Sequence, residues 1–273
     1  GFITQGAVVA LYNYMSQILV ELIKLANLII TLTKTAACGN RIQAVLETEP
    51  SQKFPSDDDT ADVPSAGEIR FENVTFTYDG ASMPSLYDIS FSISRGEIVG
   101  IIGGTGSGKS TLVNLMPRFY DADQGRIYAG GTDVNKYPKA QLRESFGIVP
   151  QKAQLMTGSI RKNLLWGKAD ASDEELYDAL KAAQALDVVQ SKTKGLDENI
   201  TEGGRNLSGG QKQRLCIARA LVRKPDILIF DDSASALDYA TEASLRKALR
   251  ELPYNPTVII VSQRTASIKD ADK

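Results

Sequence analysis

The chain predicts an α/β fold in which a buried layer of strands follows antiparallel strands and contains a helical insert. Three observations carry this reading. The runs EIVGIIGG (97–104), DILIF (226–230) and TVIIVS (257–262) are almost continuously apolar, as suits strands covered on both faces. The segments EIRFENVTFTY (68–78) and SLYDISFSIS (85–94) come close to alternating apolar and polar residues, the pattern of half-buried antiparallel strands. Helical signals concentrate between Ser159 and Val222, where SDEELYDALKAAQALDVVQ (172–190) opens with Ser172 and an acidic first turn.

Taken in order, residues 7–32, AVVALYNYMSQILVELIKLANLIITL, come first and are nearly all apolar. As a helix they span about 39 Å, enough to cross a hydrocarbon core of about 30 Å. A long buried helix in a soluble domain is the other reading. Glu21 and Lys24 are spaced to pair on one helix face, and they fit a helix that leaves the bilayer near residue 20. Lys24, Lys34 and Arg41 put its C-terminal side in the cytoplasm. The segment lacks the basic start and cleavage site of a signal peptide. The chain opens at Gly1 without an initiator methionine, which points to a piece of a longer membrane protein. Residues 48–67 carry Pro50, Pro55 and Pro64 and the run Asp57–Asp59, the composition of a solvated linker. The expected domains are therefore a helix with its cytosolic extension (1–47), a linker (48–67) and the α/β domain (68–273).

Composition narrows the chemistry. With 33 acidic and 31 basic residues the net charge is −2, so no broad basic field recruits nucleic acid. The absence of histidine removes an imidazole base and a histidine metal site from this chain. Cys38 and Cys216 have small or apolar neighbours and read as two buried, reduced thiols.

The segment from Gly103 through Gly104, Thr105, Gly106, Ser107, Gly108, Lys109 and Ser110 to Thr111 fits G-x-x-x-x-G-K-[ST], with a buried strand before it and the helical pattern TLVNLM after it. Such a loop turns backbone N–H groups toward phosphate oxygens. Lys109 is then placed for the β and γ phosphates of ATP, Ser110 for Mg2+, and Thr111 for the α phosphate. Further on, a buried strand ends in Asp231 and Asp232, putting carboxylates where ligands of α/β sheets collect, with Asp231 as the Mg2+ partner.

NLSGGQKQR (206–214) resembles the signature of ATP-binding cassette (ABC) proteins, and the order of Tyr78, the loop, Gln151, the signature, ILIFDD and SALD (235–238) matches that family over residues 68–268. The apolar helix and TEGGRNLSGGQ resemble those of exporters whose membrane and ATPase parts share one chain. The resemblance implies a P-loop NTPase core of ABC type with an antiparallel β subdomain and an inserted helical subdomain, preceded by a membrane helix segment. It also implies a multi-pass protein of the cell membrane in its full length, with the nucleotide-binding domain in the cytoplasm and at least one more strand beyond IKDADK. It gives Tyr78 the role of stacking on adenine. Gln151 would touch Mg2+ or the attacking water. Ser208, Gly209, Gly210 and Gln211 would complete the ATP site of a second subunit. Arg70, Arg95 and Arg118 read as solvated.

Two positions depart from the family pattern. After the metal-binding aspartate the family usually has glutamate, here Asp232, and the late strand usually ends in histidine, here Gln263. The shorter carboxylate is drawn back by about 1.5 Å, where a shift of about 1 Å can cost on the order of a hundredfold in rate. Glutamine carries neither positive charge nor an exchangeable imidazole proton. These changes resemble the degenerate-site half of a heterodimeric exporter, binding ATP well and cleaving it poorly. The alternatives are an active homodimeric exporter, a soluble ABC ATPase and a regulatory nucleotide-binding module without a transport role.

Overall fold

The computed structural model describes residues 4–56 and 67–273, apart from the side chain of Ala234; residues 57–66 of the expected linker lie outside the described residues. They form two units, one ending at Lys53 and one starting at Phe54.

The first unit is dominated by helix α1 (Gln5–Leu46). At 1.5 Å per residue it is about 63 Å long. None of its residues is buried, so the reading of a buried core helix finds no packing partner among the described residues. The Lys24 ammonium donates to Glu21 Oε1 at 2.7 Å. Thr31, Thr33 and Thr35 donate their hydroxyls to carbonyls one turn back, which satisfies them without leaving the helix. Cys38 is exposed on this helix, which corrects its reading as a buried thiol, whereas Cys216 is buried.

In the second unit, β1 (Ile69–Phe76) pairs antiparallel with β2 (Leu86–Ile93), bringing Phe71 opposite Phe91 with rings stacked at 4.6 Å. β3 (Ile98–Ile102) leads through the glycine-rich loop to α2 (Lys109–Leu115). The chain returns as β4 (Gln124–Ala129) along the other side of β1 and adds the short β5 (Thr132–Asp133), completing an antiparallel sheet of order β2-β1-β4-β5. Helix α3 (Lys139–Glu144) precedes β6 (Phe146–Val149).

A helical insert follows. It comprises β7 (Gly158–Ser159), α4 (Ile160–Leu165), α5 (Asp173–Ala182), α6 (Leu186–Gln190), β8 (Asn199–Ile200) and α7 (Gly209–Val222). Ser172 caps α5 in a reciprocal capping box with Glu175, as the sequence signal predicted. β9 (Ile227–Asp231), α8 (Tyr239–Arg250) and β10 (Thr257–Ser262) then close the parallel sheet, of order β3-β10-β9-β6.

Alternation along the central strands explains why they read as continuously apolar. Ile227 and Ile229 of β9, with Ile259 and Val261 of β10, join the core that includes Phe71, Leu115 and Ile127. Leu228, Phe230, Val258 and Ile260 join the opposite core with Leu164, Leu180 and Ile217 of the insert. Both faces are covered. Along the edge strand β3, Asp272 N donates to Ile98 O at 2.7 Å and Gly100 N to Lys273 O at 2.9 Å, so the last residues are hydrogen-bonded to that edge without forming a strand. Arg118 corrects the expectation of a solvated charge. It is 5% exposed, its guanidinium lies 4.2 Å from the Phe54 ring centroid, and its Nε donates to Asp121 Oδ1 at 2.6 Å.

Candidate functional site

The parallel register brings Ile102 opposite Ser262 and Val261 opposite Asp231, so β3, β9 and β10 end together. The loop 103–108 starts at that edge and wraps tightly because glycine permits it. Gly108 has φ 85°, and a Cβ there would lie 2.8 Å from Ser85 O and 2.9 Å from Leu86 Cδ2. Lys109 Nζ folds back over the loop, donating to Gly103 O at 2.8 Å and Gly104 O at 2.6 Å. Gly104, Thr105, Gly106 and Ser107 are exposed. A hollow of about 290 Å³ is lined by Tyr78, Ser85 and residues 106–111. An ammonium, an exposed glycine-rich loop and an aromatic side chain around one concavity make a set suited to a nucleotide polyphosphate.

The acids sit beside this loop. Ser110 Oγ donates to Asp231 Oδ1 at 3.1 Å. Burial pushes the Asp231 carboxyl up and the charge of Asp232 adds to this, while the Ser110 hydrogen bond and the Lys109 charge oppose it. Asp232 takes the left-handed region at φ 48° as the chain leaves β9. Its N–H donates to Val261 O at 2.9 Å. Gln151 Nε2 donates to Asp232 Oδ2 at 3.1 Å, joining residues 81 positions apart. Gln263 is exposed directly after β10, on the strand beside β9.

Ser208 to Gln211 open α7. Gln211 N donates to Ser208 Oγ at 3.2 Å and Ser208 N to Gln211 Oε1 at 3.0 Å, a second capping box. The Ser208 oxygen accepts in this box, which leaves its hydroxyl proton to donate elsewhere. Gly209 has open space where a Cβ would stand. Among the described residues, 208–211 are not part of the lining of the loop hollow.

Residues 86–235 match the ABC transporter family. This chain belongs to that family. An uncharacterized ABC transporter ATP-binding protein of Bacillus subtilis, YfiB, is 42% identical over 268 residues, which cover 98% of this chain and 46% of that protein. An ATP-dependent lipid A-core flippase of Sodalis glossinidius is 38% identical over 273 residues, covering 99% and 46%. The structure of a bacterial Atm1-family ABC exporter with ATP bound superposes with a TM-score of 0.82 at 34% identity, covering 100% of this chain and 48% of that one. The chain thus spans about half the length of the relatives it matches.

Among the described residues there is no group of three or more His, Cys, Asp or Glu side chains that could hold a metal. Ser110, Asp231 and Gln151 offer one carboxylate and two neutral oxygens, which fits Mg2+ held largely by phosphate oxygens and water. Sequence reasoning missed Tyr120, whose ring meets Tyr78 edge-on at 5.3 Å, and the contact of 3.1 Å between the Tyr78 and Thr111 hydroxyls. The adjacent aromatics Phe119 and Tyr120, shortly after the loop helix, were the available signal.

Proposed function

We propose that this chain is the ATP-binding part of an ABC exporter, coupling ATP binding and hydrolysis to transport, and that its own catalytic site is weak. In this reading residues 103–111 hold the phosphates, Tyr78 stacks on adenine, and Ser110, Gln151 and Asp231 attend Mg2+. Asp232 and Gln263 stand where water would be activated and the γ phosphate contacted. Ser208 to Gln211 serve the ATP of a second subunit, which carries the competent site in a heterodimer. α1 supplies the end of a membrane helix, with the ATPase domain in the cytoplasm. The loop's close fit and the neighbouring Ser110–Asp231 bond support strong nucleotide binding.

The observation that carries the weak site is the pairing of the short Asp232 carboxylate with the Gln151 amide. Phosphoryl transfer relies on positioning and charge stabilisation. A carboxylate one methylene short, with a neutral Gln263 in place of an imidazole, lessens both. The test is ATP binding and hydrolysis by the full-length chain, alone and then with the product of a neighbouring transporter gene. Tight binding with negligible turnover alone, restored by the neighbour, is the expected result. Brisk turnover by the chain alone overturns the weak site and makes the protein an active homodimeric exporter.

A further inference from the structure

We infer that Tyr120 is a positioning residue for the nucleotide base, holding the Tyr78 ring in its place beside the phosphate loop; this rests on the reading of Tyr78 as the adenine platform. Tyr78 is only half-buried and stands just past the end of β1, where an unsupported ring would rotate. It has three supports. The Phe76 ring meets it edge-on at 4.8 Å and Tyr120 meets it edge-on at 5.3 Å, while its hydroxyl lies 3.1 Å from Thr111 Oγ1. Edge-to-face pairs of this spacing are attractive beyond simple burial.

Phe76 is a core residue of β1 and is fixed by the sheet. Tyr120 belongs to the segment between α2 and β4, and that segment is itself tied down on both sides. Before it, Arg118 N donates to Leu115 O at 3.1 Å and Phe119 N to Asn114 O at 3.0 Å. After it, Asp123 N donates to Thr75 O at 3.0 Å and Asp123 Oδ2 accepts from Thr77 N at 2.7 Å. The stretch that carries Tyr120 is therefore laced to Thr75 of β1 and to Thr77, the residue before Tyr78. Tyr120 is 42% exposed, so its ring is held mainly by its contacts with Tyr78 and Phe76 rather than by burial in the core. The Thr111 contact also links the base platform to the first turn of α2, directly after the loop.

Binding of Mg–ATP and of magnesium tripolyphosphate, which has phosphates but no base, is measured on the full-length chain and its variants. Tyr120→Leu weakens ATP about three- to tenfold and leaves tripolyphosphate unchanged. Tyr120→Phe keeps the ring and restores wild-type affinity. Tyr120→Gln repeats the test with a polar tip should the leucine variant fold poorly. Equal loss for both ligands, or no loss of ATP affinity beside a clear loss in Tyr78→Ala, overturns the role of Tyr120. ATP affinity unchanged in Tyr78→Ala overturns the platform itself, whatever Tyr120 shows.

Discussion

Asp232 holds a backbone conformation, φ 48°, that aspartate and asparagine tolerate better than most residues. A glutamate here would take on the same turn with a longer side chain, so its reach toward phosphate comes with some local strain. The double variant Asp232→Glu, Gln263→His restores carboxylate reach and an imidazole together. It is expected to raise hydrolysis at this site on the order of tenfold to a hundredfold, read by site-resolved turnover in the assembled transporter; no rise sinks the account of why the site is weak. Gly108→Ala tests the loop. With φ 85° and a Cβ 2.8 Å from Ser85 O, alanine costs about 1–3 kcal/mol and displaces the loop. Melting should show a lower Tm and loss of the ATP-induced rise. The site's residue types were legible in sequence because the loop, the signature and the acidic strand end are local patterns. The Gln151–Asp232 bond, the backbone of Asp232 and the support from Tyr120 were not, since each depends on chain segments brought together by the sheets.

Among the elements, α5 carries a charge cluster with a defined response to acid. Lys168 donates to both oxygens of Glu175, Ser172 N and Lys224 Nζ add to it, and together they hold the Glu175 carboxyl down from 4.5 to about 2. A pKa lower in the folded state means stability present above about 4.5 and lost as pH falls toward about 2. Glu175→Gln keeps a capping oxygen but removes the charge. The melting temperature of the variant is expected to fall less steeply than wild type between those pH values; parallel curves exclude the cluster as a source of acid sensitivity. The strands β3, β9 and β10 were readable because their two-sided burial leaves uninterrupted apolar runs. β4 was not, since only Ile127 and Ala129 along it are buried, and β6 has just four residues. α3, with six residues and one buried leucine, carries too little periodicity to register.

For the molecule as a whole, the decisive contrast is between a domain with two filled cores and a helix with none. α1 includes an 18-residue window of mean hydropathy 1.6, and Leu11, Ile18, Leu22, Ile29 and Leu32 are all more than half exposed on it. Each such side chain gains about 1.5–3 kcal/mol on leaving water, so a chain that kept this helix in solution would forgo a large stabilisation. The full-length chain is expected to stay with the membrane through an alkaline wash and to enter the detergent phase on phase separation. Deleting residues 1–47 from the same protein is expected to weaken that retention measurably. The 273-residue segment, expressed with and without residues 1–47, separates the contributions cleanly: detergent-phase recovery only when the helix is present supports a membrane segment. Aqueous recovery in both cases makes α1 a surface for other protein, and the soluble ABC ATPase reading then replaces the exporter.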